Sequence, residues 1–235
     1  MMDVSLTEVT TRRFATACGA EQLYMIEQVR HALDRALRDE SQLDPNALAI
    51  RGMSGRKYRH FINNLIRALP DPHYLEVGSW AGSTLCAAVN GNAVKATAID
   101  NWSEFGGPKQ EFSTNLARFV TADAHVGFIE ADFRRVDFAR LGSFNVYLFD
   151  GPHEMEDQFD GVAMARPALD PYFVLIVDDW NWQRVRDGTL QALSRLQLRT
   201  LYMVEIRTTL DDTHPAVAFQ HSDWHNGYFI GVIEQ

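Results

Sequence analysis

Three apolar runs in this chain run into acid: Leu75-Glu76-Val77-Gly78-Ser79-Trp80-Ala81-Gly82-Ser83, Val146-Tyr147-Leu148-Phe149-Asp150-Gly151-Pro152-His153 and Val174-Leu175-Ile176-Val177-Asp178-Asp179-Trp180. In a parallel sheet the carboxyl ends of the strands line one crevice, and ligands bind there. A buried strand that stops in a carboxylate delivers that charge to the crevice. The first run adds a glycine turn that admits a ligand, and the other two add three aspartates. Together they point to a nucleotide-like cofactor beside a divalent cation.

The rest of the pattern supports such a sheet. Strand-like runs at 74–77, 96–99, 126–130, 146–149 and 173–177 alternate with segments of helical length at 83–89, 109–120 and 154–166. That alternation predicts parallel strands with helices on both faces and right-handed crossovers. After a helix at 183–198, two β-rich runs at 201–208 and 228–233 follow with no helix between them, which suits an antiparallel pair. The expected fold class is α/β: a Rossmann-like, mostly parallel sheet of seven strands, the last pair antiparallel. Ahead of it Leu23, Ile26, Val29, Leu33 and Leu37 recur at helical spacing. A second helix carries Tyr58, Phe61, Ile62, Leu65 and Leu69 on one face, and Pro70-Asp71-Pro72 stops it. The chain divides into an N-terminal helical extension or lid, 1–70, and a Rossmann-like domain, 71–235.

Composition narrows the partners. With 235 residues, 46% of them hydrophobic, the chain can bury a sizeable core. A formal net charge of −9 argues against nucleic acid, whose phosphates call for basic surface. No run approaches the roughly 18 apolar residues of a membrane span, and the start, Met1-Met2-Asp3-Val4-Ser5, reads as no leader. Cys18 and Cys86 have no metal-ligand spacing. The expectation is a cytoplasmic protein acting on a small-molecule acceptor, with the N-terminal helices as a lid, a contact between copies, or both.

Gly78 and Gly82 let backbone approach a ligand where a Cβ would clash. Ser79 or Ser83 can cap the helix that follows; a plain strand-to-helix turn is the alternative. The loop lacks the G-x-G pair of a pyrophosphate cradle, and Glu76 just before it suits an ammonium group better. The next strand ends Asp100-Asn101-Trp102, where an acid can accept both ribose hydroxyls. Asp132, before Phe133, could meet an adenine amino group, or be a solvated loop acid. The aspartates can hold Mg²⁺, which favours oxygen ligands, or can be a polar strand end. His153 can take a proton near neutral pH, or cap a helix. The run Ser54-Gly55-Arg56-Lys57-Tyr58-Arg59-His60 reads first as a solvated basic helix start. It could also close over a cofactor carboxylate or attract an anionic acceptor.

The order Glu76, Gly78, Gly82, Asp100, Asp132, Asp150, Asp178-Asp179 resembles class I S-adenosylmethionine-dependent methyltransferases over roughly residues 50 to 235. Within them it is similar to the metal-dependent O-methyltransferases of sugars and natural products, the macrocin O-methyltransferase-like group. The resemblance implies S-adenosylmethionine and Mg²⁺ as cofactors. It puts Glu76, Gly78, Ser79 and Gly82 at the methionine part and Asp100 at the ribose, with Ser83, Asn101 and Trp102 also expected to bind the cofactor. Asp132 and Phe133 then fall at the adenine, and Asp150, Asp178 and Asp179 on the metal. The catalytic residues it implies are Asp150 and His153, the latter as general base. A metal-independent methyltransferase is the alternative. A nicotinamide-dependent oxidoreductase or a non-catalytic cofactor-binding module fits the motifs less well.

Overall fold

The computed structural model describes residues 7–14 and 18–235; the first five residues, and with them the reading of the start, lie outside it. One sheet organises the described residues. Its strands are β1 (Glu8–Arg13), β2 (His73–Val77), β3 (Val94–Asp100), β4 (Ala124–Glu130), β5 (Phe144–Phe149), β6 (Leu169–Asp178), β7 (Arg199–Arg207) and β8 (Tyr228–Glu234), in the order β1-β7-β8-β6-β5-β2-β3-β4. From β4 through β6 the neighbours are parallel, whereas β8 runs antiparallel between β6 and β7.

The sheet has eight strands, not the expected seven. The addition is β1, whose sequence Glu-Val-Thr-Thr-Arg-Arg is almost wholly exposed and shows no alternation to betray it. It exists because β7 would otherwise offer a free edge; β1 pairs along it antiparallel from Glu8 opposite Arg207 to Arg13 opposite Tyr202.

The helices are α1 (Ala20–Leu37), α2 (Pro45–Leu48), α3 (Arg56–Ala68), α4 (Ser83–Val89), α5 (Lys109–Phe119), α6 (Met155–Ala165) and α7 (Gln183–Arg195). Strand side chains alternate between two cores, as the pleat requires. Tyr74, Val146, Leu148, Val174 and Ile176 face α1, α3, α4 and α5, while Leu75, Tyr147, Phe149, Phe173 and Leu175 face α6 and α7. No helix among the described residues is long and apolar enough to cross a membrane.

The reading of α3 needs correction. Its apolar face packs as expected, but Arg59, His60, Asn63 and Asn64 on its other sides are buried too. The middle of the helix is covered because α1, α2 and α4 pack against it, and several of its polar donors find internal partners. Asn63 Nδ2 donates to the carbonyls of Ala87 and Asn90, Asn64 Nδ2 donates to that of Glu40, and His60 Nδ1 lies 2.7 Å from Ser41 Oγ.

From β2 the chain steps outward through β3 to β4, then returns to place β5 on the other side of β2. That reversal leaves a crevice at the carboxyl ends of β2 and β5.

Candidate functional site

A cleft of about 460 Å³ opens at that reversal. One half is walled by Gly78, Trp80, Asp100, Asn101, Asp132 and Phe133, the other by Asp150, His153, Asp179, Trp182, His214 and His225. A wider hollow of about 740 Å³ at the opposite strand ends has no acid cluster or glycine turn in its lining, which runs from His73 and Lys95 to Phe144. The chemistry therefore lies with the smaller space.

Two loop contacts shape the first half. Gly78 takes φ +87°, and a Cβ there would stand 1.8 Å from the carbonyl oxygen of Asp150, so only glycine lets the β2 and β5 ends meet. Asp100 gathers the glycine turn: Oδ2 accepts the amides of Ser79 and Trp80 at 2.8 and 2.7 Å, and Oδ1 accepts that of Trp102 at 2.6 Å. This acid, expected at a ribose, also builds the turn itself. Trp102 packs against Phe112 and donates Nε1 to the Trp80 carbonyl, supporting the wall from behind. Asp132 lines the cleft and caps a short helical turn by accepting the Arg134 amide, while Phe133 packs edge-on against Phe149.

Glu76 is wholly buried beneath the glycine turn. Burial pushes its acid up to about 7, although the Tyr74 hydroxyl, donating at 2.6 Å, pulls the other way. Among the described residues neither its Oε1 nor the buried Ser79 hydroxyl has a partner at hydrogen-bond geometry, although Ser79 and Thr84 lie close enough to pull the acid down. Unpartnered polar atoms below a cleft are what a ligand ammonium or hydroxyl would satisfy. Ser83 opens α4 and faces Ser54 rather than the cleft wall, and Gly82, at φ +81°, turns the chain into α4 against Phe112.

At the other half, Asp150, His153 and Asp179 each offer a ligand atom, all within 4.8 Å of one another. Asp179 reaches the cleft because its backbone is left-handed, φ 58°, turning the second aspartate of the pair back over the sheet. Its Oδ2 lies 2.7 Å from His153 Nε2, and its Oδ1 accepts Asn226 Nδ2 at 2.7 Å. Asp178 stands behind this trio, its Oδ1 accepting the Asp179 amide at 2.7 Å. Burial and the neighbouring aspartate charges push Asp150 and Asp178 well above the usual carboxylate range. Asp179 goes down despite burial, because His153 bonds to it and lends positive charge. His153 rises for the reciprocal reason, the Asp179 contact outweighing burial.

These residues fit a bound cation. The atoms that converge are carboxylate oxygens of Asp150 and Asp179 with an imidazole nitrogen of His153, while Asp178, expected as a third ligand, lies behind them; burial and mutual repulsion of these acids are what a divalent ion would relieve.

Sequence reasoning missed the wall from the β7–β8 connection: His214, Phe219 and His225. Burial holds the His225 imidazole down at about 4, so it is neutral at pH 7, and its Nδ1 accepts the Phe219 amide at 3.1 Å. Asn181 ties that connection to the end of β6, donating to Thr208 Oγ1 and Asn226 Oδ1 and accepting the Thr208 amide. Left-handed backbone at Trp80, Trp102, Phe105, Asp179, Phe219 and His225 concentrates strain around one cleft, a pattern typical of ligand sites.

Residues 75–180 match the family model of a methyltransferase domain. No curated protein matches the chain in sequence. Among solved structures the chain is similar in fold to TrmN from Thermus thermophilus, with TM-score 0.51 and 15% identity over 75% of this chain and 48% of that one. It is also similar to cofactor-bound Rv0187 from MTB, with TM-score 0.53 and 15% identity over 88% of each chain. A third is precorrin-6y C5,15-methyltransferase from Geobacter metallireducens GS-15, with TM-score 0.50 and 16% identity over 75% of this chain and 88% of that one. The chain spans about half the length of TrmN, 48%. At these identities the likenesses speak for the fold alone. The family model thus speaks for residues 75–180 as a methyltransferase domain, and the likenesses for a methyltransferase-like fold around it.

Proposed function

We propose that the protein transfers a methyl group from S-adenosylmethionine to a hydroxyl of a small molecule, a sugar or other natural product, with Mg²⁺ held by Asp150, Asp178 and Asp179. The observation that carries this reading is the Asp150–His153–Asp179 cluster, set in the same cleft as the glycine turn. S-adenosylmethionine supplies the methyl group on its sulfonium, and Mg²⁺ bound at the aspartates would make an acceptor hydroxyl more acidic. The chain's own residues do the rest. Gly78, Ser79 and Glu76 take the amino-acid end, Asp100 and Asn101 the ribose, and Asp132 with Phe133 the adenine. His153 donates from Nε2 to Asp179 Oδ2, which leaves Nδ1 as the nitrogen that accepts the acceptor's proton. Trp182, His214 and Phe219 wall the acceptor side, excluding water and fixing the approach.

The test is a methyl-transfer assay on a panel of hydroxylated acceptors, with Mg²⁺ and with excess chelator. Turnover should fall at least about 100-fold in chelator and return with Mg²⁺. Undiminished turnover in chelator would favour the metal-independent reading, which the 2.7 Å His153–Asp179 pair supports as a self-sufficient base.

The acids give a second expectation. A carboxyl raised in the folded state loses stability as pH climbs from its ordinary value to the raised one, and Asp150 and Asp178 are both raised. Protons and Mg²⁺ therefore compete for them, so Mg²⁺ should raise the melting temperature more at about pH 8 than at about pH 6. Equal shifts at the two pH values in a thermal melt would remove these aspartates from the metal site.

A further inference from the structure

The two outer edges of the sheet differ in how they meet water. At one edge β1 carries Glu8, Arg12 and Arg13, charges of the kind that keep a bare strand from pairing with another chain. At the other, β4 reads Ala-His-Val-Gly-Phe-Ile-Glu, with no lysine, arginine or proline. Its register against β3 runs unbroken from Ala124 opposite Val94 to Glu130 opposite Asp100. Its one carboxylate, Glu130, already pairs with Lys109. None of the described strands pairs with its outer side, and Phe128 there is 47% exposed. A regular, apolar edge without such guards is a template for another strand.

Gly127 stands at the centre of that edge. The unbroken register leaves no bulge there, its backbone is not left-handed, and a Cβ would meet nothing within 4 Å. Nothing inside the protein therefore asks for glycine, which weakens a strand by about 0.5–1 kcal/mol relative to alanine. What remains is the close approach of a ligand or of another backbone. An edge with free backbone groups suits the second.

The backbone sets the phase of such a pairing. The Ala131 amide donates to the Asp100 carbonyl on β3, so by alternation the odd-numbered residues of β4 turn their backbone groups inward. Val126, Phe128 and Glu130 then turn theirs outward. We propose that two copies of this chain join through β4, antiparallel about a two-fold axis at Gly127, into one continuous sheet. Val126 then exchanges backbone hydrogen bonds with the second copy's Phe128, and Glu130 lies opposite the second copy's Ala124. Outward groups meet outward groups along the whole strand. His125 lies opposite Ile129, so no like charges face each other. The pairing also covers Phe128, whose ring is edge-on to Trp102 and Phe112 behind the cleft wall.

Sedimentation velocity at about 50 µM, enough to populate a dimer of micromolar Kd, should show a particle of twice the 26.7 kDa chain. Gly127→Lys sets two like charges face to face at the axis and should leave a monomer. Within one chain the new side chain meets open space, so the variant should keep the circular dichroism of the unmodified protein. Cross-linking reads the register. In a Cys18→Ser background, where the remaining Cys86 is buried, Gly127→Cys should give a disulfide-linked dimer under mild oxidation. The two Cα atoms would stand about 4.5 Å apart at the axis, within disulfide reach. His125→Cys should not cross-link, because it lies opposite Ile129 and roughly 13 Å along the strand from its own copy. A monomer at that concentration overturns the β4 dimer, as does equal cross-linking of the two cysteine variants. A dimer that survives Gly127→Lys overturns it too, and places the contact elsewhere, such as on the N-terminal helices.

Discussion

Asp179→Asn should lower kcat by about 1,000-fold or more while S-adenosylhomocysteine affinity stays within about twofold. Asp179 serves two partners at once, accepting from His153 at Oδ2 and from Asn226 at Oδ1. An amide offers one acceptor oxygen in place of two, so it can satisfy His153 or Asn226 but not both. If Asn226 keeps its bond, the imidazole loses the partner that fixes its tautomer, and its basic nitrogen no longer faces the acceptor dependably. The negative charge proposed to help hold Mg²⁺ is lost as well. None of this touches the glycine turn or Asp100, so cofactor binding should survive. The pH profile separates the effects. With Asp179 present His153 is raised, so the rising limb of activity should lie above the ordinary histidine value. Without the carboxylate that limb should move down in pH, because burial is the largest remaining influence on the ring. Activity within about tenfold of the unmodified protein would take Asp179 out of the chemistry.

The legible and illegible parts of this molecule divide by physics. Strands β2, β5 and the second half of β6 are buried on both faces, so their sequences are nearly unbroken apolar runs, and their acidic ends stand out against them. Gly78, Asp100, Asp150, His153 and Asp179 follow from position at those ends and do meet around one cleft. Asp178 also follows, but nothing in Asp-Asp tells which of the two turns inward; that depends on the left-handed backbone of the second. Strand β1 lies on an edge with water on both sides, so pairing with β7 makes it a strand without a hydrophobic pattern. The stretch from Thr208 to Gly227 has no period to read, yet it brings His214, Phe219 and His225 to the cleft and Asn226 to Asp179. Its shape comes from long-range bonds to Asn181. Arg59 misleads for a related reason: charge on a helix reads as a solvated face unless one knows that the segment from Leu48 to Ser54 folds over it.

Gly78→Ala should be the most disruptive small substitution in the cleft, costing roughly 2–5 kcal/mol of stability and abolishing cofactor binding. Two costs add. At φ +87° any L side chain pays about 1–2 kcal/mol for the left-handed backbone. The new methyl would also stand 1.8 Å from the Asp150 carbonyl oxygen, and backbone held between β2 and β6 cannot swing aside as a flexible side chain would. Overpacking of that kind adds about 1–3 kcal/mol. Gly106→Ala separates the terms, since Gly106 has the same kind of backbone, φ +81°, with nothing within 4 Å of the new methyl. For a domain of this size about 1 kcal/mol moves the midpoint by about 2–4 °C, so a fall of about 10 °C for Gly78→Ala should stand against about 3–5 °C for Gly106→Ala. Equal shifts in a thermal melt would mean that the β2 and β5 ends can part at no cost. The contact matters because it joins two acid-ended strands: the turn proposed for the cofactor and the aspartate proposed for the metal share one backbone junction. Whatever displaces Gly78 displaces Asp150, so binding and chemistry should fail together in this variant. In Asp179→Asn they should come apart, because that change lies beyond the junction, just past the end of β6.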